Sequence, residues 1–178
     1  MGKDVHHRCK CIGRNFTADE WYDYLHLEDR PKIVHRYKDF GFNICDTCLT
    51  PHVKIEWANK VCFIEVTTAQ SDNGRWDFGF HYKFWTQGSC CCAHYIDTPT
   101  GGHNTEKEAI NAVLNSLEEK CQRVIDEILF RGGDIDDDDC DEPEIRGSSV
   151  LPKLKEAMNK IKSYREVFNP RQLELFNL

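Results

Sequence analysis

Four cysteines of the chain fall in two short-range pairs, Cys9-Lys10-Cys11 and Cys45-Asp46-Thr47-Cys48. Zinc favours a tetrahedron of thiolate or imidazole ligands, and two local pairs supply four at small entropic cost. The second pair has the usual spacing of a zinc knuckle, while the first is tighter. His6, His7 or His52 could replace one of the thiolates. An ion held by Cys9, Cys11, Cys45 and Cys48 has no open position, so it would be structural and would fasten residues 1–52 to the neighbouring hairpin. The competing reading is four free thiols, some of them buried.

The run Cys90-Cys91-Cys92, with His94 close behind, is a second metal motif. Adjacent side chains of extended backbone face opposite ways, so three consecutive thiols cannot converge on one ion. Two of them with His94 or His103 could, but loop and partial core is the simpler reading. Cys62 falls in a strand pattern and Cys121 on a helical stripe, which makes both packing residues. Cys140 lies in an acidic stretch and is expected to be exposed.

Catalytic signatures are thin. The chain has no G-X-S-X-G elbow, no phosphate-cradling glycine loop and no dinucleotide fingerprint. "TPTGGHNTEKE" places two glycines before a helix start, where an anion could bind, but without a lysine at the expected place it reads as a strand-to-helix turn. Glu56, Glu65 and Asp77 on neighbouring strands could hold the magnesium ion a nuclease needs. His81 and His94 could act as general bases. Each has a commoner structural explanation, so the expectation is a protein without enzymatic activity.

These residues need elements to position them. A chain of 178 residues, 40% hydrophobic and 11% aromatic, suits one domain with a small appended module. A net charge of −7 disfavours broad binding to phosphate backbones. No run reaches the roughly 18 apolar residues of a membrane span, and "MGKDVHHRCKC" lacks a signal peptide's apolar stretch. The expected setting is cytoplasmic, away from membranes, where paired cysteines are more often metal ligands than disulfides.

The spacing predicts a helix from about Thr17 to Leu27, with Trp21, Tyr24 and Leu25 on one side. Residues 53–68 give a strand signal. Asn73-Gly74 is a hairpin dipeptide, followed by Trp76, Phe78, Phe80, Tyr82 and Phe84 alternating onto one face. That aromatic face could stack bases, though a core role is the better reading. Residues 86–104 read as a loop with a short strand at its centre.

Thr105 and Glu108 form a capping box. Ile110, Val113, Leu114, Leu117, Cys121, Val124, Ile125 and Ile128 then make one apolar stripe, which Gly132-Gly133 should stop. Residues 134–149 read as an acidic spacer. Pro152 is expected in the first turn of a last helix, with Leu151, Leu154, Met158, Ile161, Val167 and Phe168 as its apolar side. Lys153, Lys155, Lys160, Lys162 and Arg165 make the rest of that helix basic and able to contact DNA.

The predicted class is therefore α+β. A small antiparallel sheet, built on a β-hairpin, packs against a long amphipathic helix. The divisions are a Cys/His-rich region (1–52), an α+β core (53–133), the acidic linker (134–149), a basic amphipathic helix (150–168) and a tail (169–178). The order of hairpin, glycine-containing loop and "TEKEAINAVLNSL" resembles HicB-like antitoxins and other ββα modules of mobile elements. That resemblance covers roughly residues 60–130 and implies a fold fragment more than an activity.

The tail carries Gln172-Leu173-Glu174-Leu175-Phe176, which matches Q-L-X-L-F. The pattern resembles the peptide by which bacterial polymerases, mismatch-repair proteins and replication regulators engage the DNA sliding clamp. The resemblance implies that Leu173, Leu175 and Phe176 enter apolar pockets while Gln172 fixes the register from the rim. Pro170 disfavours helix beyond Asn169 and so suits an extended peptide. Each apolar side chain contributes roughly 1.5–3 kcal/mol before ordering costs, consistent with micromolar affinity. The expectation is an accessory protein of bacterial, phage or mobile-element DNA replication or repair. The alternatives are a nuclease or nucleic-acid-modifying enzyme with the same tail, or an antitoxin-like or anti-defence binder.

Overall fold

A computed structural model describes residues 4–131 and 147–169. The chain is α+β, as its sequence predicts. Its main body is a four-stranded antiparallel sheet with strands in sequential order: β5 (His52–Ala58), β6 (Cys62–Gln70), β7 (Trp76–Phe84) and β8 (Gln87–Cys91). Two long helices, α2 (Glu106–Phe130) and α3 (Gly147–Phe168), pack on each other, and α2 lies on β6 and β7. Ahead of the sheet come two small hairpins and one short helix: β1 (His7–Cys9), β2 (Arg14–Phe16), α1 (Ala18–Leu25), β3 (His35–Tyr37) and β4 (Phe40–Phe42).

The helices begin where local chemistry says they should. Thr17 caps α1 and Thr105 caps α2, each in a complete capping box with the glutamate three residues on. Every residue of the predicted α2 stripe, from Ile110 to Ile128, is buried. It meets Ile64, Val66, Tyr82 and Phe84 from the sheet and Leu154, Met158 and Ile161 from α3 in one core. The aromatic face of β7 is thus mainly packing: Tyr82 and Phe84 are buried, with Phe78 and Phe80 half-buried beside them. The Asn73-Gly74 turn forms as expected, with Gly74 at φ 83° and Gln70 paired to Trp76.

Four expectations need correction. Residues 53–68 are not one strand but parts of β5 and β6, broken at Asn59. The Asn59 side chain accepts from the N–H groups of Val61 (3.0 Å) and Cys62 (2.8 Å), a local bond that turns the chain. The strand expected at the centre of residues 86–104 lies at their start, as edge strand β8. Helix α3 starts at Gly147, so Pro152 is inside the helix rather than in its first turn. Val150, which precedes the proline, is buried in the core, whereas Val167 is exposed. The Gly132-Gly133 stop, Cys140 and most of the acidic linker lie outside the described residues; α2 ends at Phe130 with Arg131 as its C-cap. No helix among the described residues is long and apolar enough to cross a membrane.

A second apolar cluster holds the N-terminal region. It gathers Cys9, Cys11, Phe16, Phe40, Phe42, Ile44 and Cys48 against Ala69, Ala93 and Tyr95 of the main body. Helix α1 buries no residue fully and leans on this cluster through Trp21 and Tyr24.

Candidate metal centre

Two turns build the site. In the first, between β1 and β2, the Gly13 N–H donates to the Lys10 carbonyl (3.2 Å), and Gly13 takes φ 64°. That turn presents the N–H groups of Lys10 and Cys11. In the second turn, the Asn43 side chain accepts from the N–H groups of Cys45 (2.8 Å) and Thr47 (3.0 Å), and the Asp46 N–H donates to the Asn43 carbonyl (3.0 Å). Asp46 sits at φ 63°, in the left-handed region that aspartate tolerates better than most residues.

The carboxylate of Asp46 then joins the two turns. Its Oδ1 accepts from the Cys11 N–H (2.8 Å) and its Oδ2 from the Lys10 N–H (3.0 Å). The Cys9 Sγ lies 3.3 Å from the Cys11 Sγ and 3.6 Å from Asp46 Oδ1. One ligand atom from each of Cys9, Cys11 and Asp46 falls within 4.8 Å of the others, and all three residues are buried.

This group could hold a metal ion. Bond lengths of about 2.3 Å to sulfur and 2.0 Å to oxygen make the edges of a zinc tetrahedron about 3.8 Å between sulfurs and 3.5 Å from sulfur to oxygen. The observed 3.6 Å matches the second edge, and the 3.3 Å sulfur pair needs only to part slightly.

Burial pushes the Cys9 thiol up, and Cys11 is driven far above the ordinary thiol range by burial and then by Cys9 and Asp46 beside it. Without a cation both sulfurs therefore keep their protons next to the carboxylate. A divalent ion reverses that preference by attracting the thiolates.

The cysteine spacing names Cys9, Cys11, Cys45 and Cys48 as ligands, and the structure brings only the first two into the group. Cys45 is exposed. Cys48 is buried in the same apolar cluster, where burial raises its pKa. Its own N–H donates to the Ala93 carbonyl (2.8 Å). In their place stands Asp46, whose left-handed turn aims the carboxylate at the neighbouring hairpin. A signal existed in the sequence: an aspartate inside a Cys-X-X-Cys turn, three residues after an asparagine. Of the histidines, His7 contacts the Ile44 carbonyl through Nε2 (3.0 Å), and His52 lies 3.9 Å from Asp39.

The other candidates are dispersed. Cys90, Cys91 and Cys92 are exposed and join no metal-holding group among the described residues. Cys62 and Cys121 are core residues, as predicted, and burial pushes their thiols up to about 11 and about 12 respectively. Glu56 and Glu65 are cross-strand partners, with His81 opposite Glu65 on the next strand. Asp77 instead accepts from the His94 N–H (2.7 Å) and lies 3.8 Å from the His94 ring, so these carboxylates do not converge on an ion.

Along α3, Arg165 pairs with Glu118 and Lys153 with Glu156, while Lys155, Lys160 and Lys162 are exposed. Gln172, Leu173, Leu175 and Phe176 lie outside the described residues. Compared with family models, curated proteins and solved structures, the chain gives no match in any of the three.

Proposed function

We propose that the chain is a non-enzymatic accessory protein of DNA replication or repair that docks on the bacterial DNA sliding clamp through Gln172, Leu173, Leu175 and Phe176. The observation that carries the reading is the Q-L-E-L-F segment at residues 172–176. Its attachment supports it. Helix α3 is fixed to the body by buried Leu154, Met158 and Ile161 and by the Asn111 amide, which donates to the Phe168 carbonyl at the helix end. The motif begins four residues after Phe168, the last residue of that anchored helix. The exposed lysines of α3 add cationic charge beside it, suited to DNA or to an acidic partner surface.

In the same reading zinc is the ion of the N-terminal site, where it acts structurally once a fourth ligand completes the tetrahedron. Two thiols with a carboxylate favour zinc over the hard, oxygen-seeking cations magnesium and calcium. Cys9, Cys11 and Asp46 would hold it, and it would clamp the first hairpin to the turn at residues 43–48.

The deciding experiment is co-purification with bacterial clamp, comparing the intact chain with one lacking residues 170–178. Capture by the intact chain alone supports docking. Equal capture by both, or a labelled 170–178 peptide that stays unbound at tens of micromolar clamp, defeats it. Metal analysis of the purified chain tests the second part, and well under one zinc per chain with every thiol titratable refutes it.

A further inference from the structure

The main sheet has two edges, and they differ. Strand β5 carries the devices that keep an edge from pairing with another chain: its register shifts between Val53 and Ile55, and it bears Lys54 and Glu56. Just past its end, the Asn59 amide donates to the Lys153 carbonyl of α3 (3.1 Å). Strand β8 has none of these. Its register with β7 runs unbroken, from Gln87 opposite Phe84 to Cys91 opposite Phe80. Gln87, Gly88, Ser89, Cys90 and Cys91 include no lysine, arginine, aspartate, glutamate or proline, and all five are exposed.

The corner between β7 and β8 fixes which backbone groups look outward. Only Trp85 and Thr86 separate Phe84 from Gln87, so those two form the first hydrogen-bonded pair of the hairpin. Bonded and non-bonded pairs alternate in an antiparallel ladder, which makes Tyr82 with Ser89 and Phe80 with Cys91 the next bonded pairs. Gly88 and Cys90 therefore turn their N–H and C=O groups away from β7. Among the described residues no strand meets them.

We infer that β8 pairs antiparallel with β8 of a second copy of this chain, about a two-fold axis through Ser89. The axis sets Gly88 of each copy opposite Cys90 of the other, and each such pair exchanges two hydrogen bonds. Every outward group of the strand is then used, and the two sheets continue as one. The side chains fit the same register. Cys90 comes to lie beside a glycine, and the two Ser89 residues meet on the axis as small hydroxyls. Within each copy His81 stands opposite Cys90 and Lys83 opposite Gly88. The row across the seam thus reads His81, Cys90, Gly88, Lys83, with no like charges directly opposed. Self-complementarity of this kind is what a two-fold pair of identical chains requires, and it singles out a second copy over an unrelated peptide. The pairing uses neither the metal ligands nor residues 172–176, so it is independent of the docking segment.

The test is sedimentation equilibrium of the full-length chain in excess reductant, which removes any disulfide-linked species. Wild type should move from the 20.8 kDa monomer to twice that mass as concentration rises. Cys90→Pro deletes an outward N–H and leaves the bonds to β7 in place. It should weaken association roughly tenfold or more, because two of the four bonds across the seam lose their donor. Cys90→Ser keeps that N–H and should associate like wild type. Register is read with Ser89→Cys in a chain also carrying Cys90→Ser, Cys91→Ser and Cys92→Ser. Residues on the axis form a non-hydrogen-bonded pair about 4.5 Å apart at Cα, within reach of a disulfide. Oxidation by diamide should therefore give a covalent dimer, with the digest placing the bond between the two introduced thiols. The inference is overturned by a wild-type chain that stays monomeric up to about 1 mM. It is overturned equally by Cys90→Pro associating as tightly as wild type, or by a dimer whose introduced thiols stay unbridged. Should Cys90→Pro fail to fold, the Ser89→Cys bridge decides.

Discussion

Asp46→Asn separates the two jobs that the carboxylate can perform. In the metal-free chain Asp46 accepts two backbone N–H bonds, from Cys11 at 2.8 Å and Lys10 at 3.0 Å. Asparagine suits the left-handed backbone at φ 63° equally well, so the turn should survive. It offers one acceptor oxygen, however, and its amide NH₂ must face the other N–H. A hydrogen bond to a charged acceptor contributes about 1.5–3 kcal/mol. With one bond lost and the other weakened to a neutral one, the expected cost is about 2–4 kcal/mol, a sizeable share of the roughly 5–15 kcal/mol typical of a domain.

Chemical denaturation in excess chelator reads that cost directly. A second series at fixed free zinc reads coordination, because metal that binds only the folded state stabilises it by RT ln(1 + [L]/Kd). If Asp46 is a ligand, affinity should fall about a thousandfold or more, and about 4 kcal/mol of zinc-dependent stability should go with it. If it only orients the hairpin around other ligands, the loss should be about 10–100-fold. Asp46→Asn that is as stable as wild type in chelator, and that binds zinc within a factor of ten, would refute both the clasp and the ligand.

Cys9→Ser and Cys11→Ser should each abolish stoichiometric zinc, whereas Cys45→Ser and Cys48→Ser should retain one ion per chain; a roughly hundredfold affinity loss in Cys45→Ser, by competition with a chromophoric chelator, would instead place that thiol on the metal. The raised thiols of Cys62 (about 11) and Cys121 (about 12) make stability fall in alkali. The unfolded thiols ionise near 8.5 while the folded ones stay neutral, so their contribution is complete below that pH and is lost as pH rises toward the folded values. Each should add about 1.4 kcal/mol of loss per pH unit between roughly pH 9 and 11, and Cys62→Ala with Cys121→Ala should flatten that limb in zinc-loaded protein. Phe176→Ala should abolish clamp capture and leave zinc content and thermal midpoint unchanged; retained capture would remove the docking segment from the mechanism.

What the sequence made legible is what local chemistry encodes. "TADE" and "TEKE" each carry a threonine and a glutamate three residues apart, and both become capping boxes. The α2 stripe is a 3.6-residue pattern over 25 residues, long enough that tertiary context had little left to decide. The three-residue strands β1 to β4 hold too few side chains to show any period, and only hydrogen bonds between strands define them. Asp46 escaped for a related reason, since the N–H groups it accepts from are 35 and 36 residues away. Pro152 misled because proline usually marks a first turn, whereas Val150, two residues earlier, already packs into the core.

The two halves of the proposed function also rest on different cores. Cys9 and Cys11 belong to the cluster around Phe16, Phe40 and Phe42, while α3, which leads to residues 172–176, is packed with α2 and the sheet. The N-terminal cluster is lightly built: its helix buries no residue, and its strands are three residues long. Small modules of this kind commonly need a metal or a disulfide to hold a fold, which gives an ion there a structural reason to exist. It is nevertheless stitched to the body, because the Cys48 N–H donates to the Ala93 carbonyl (2.8 Å) and the Tyr95 N–H to the Asp46 carbonyl (2.7 Å). Stripping the metal should therefore loosen the first fifty residues without detaching α3 from its core, and a chain deprived of zinc should still present its docking segment.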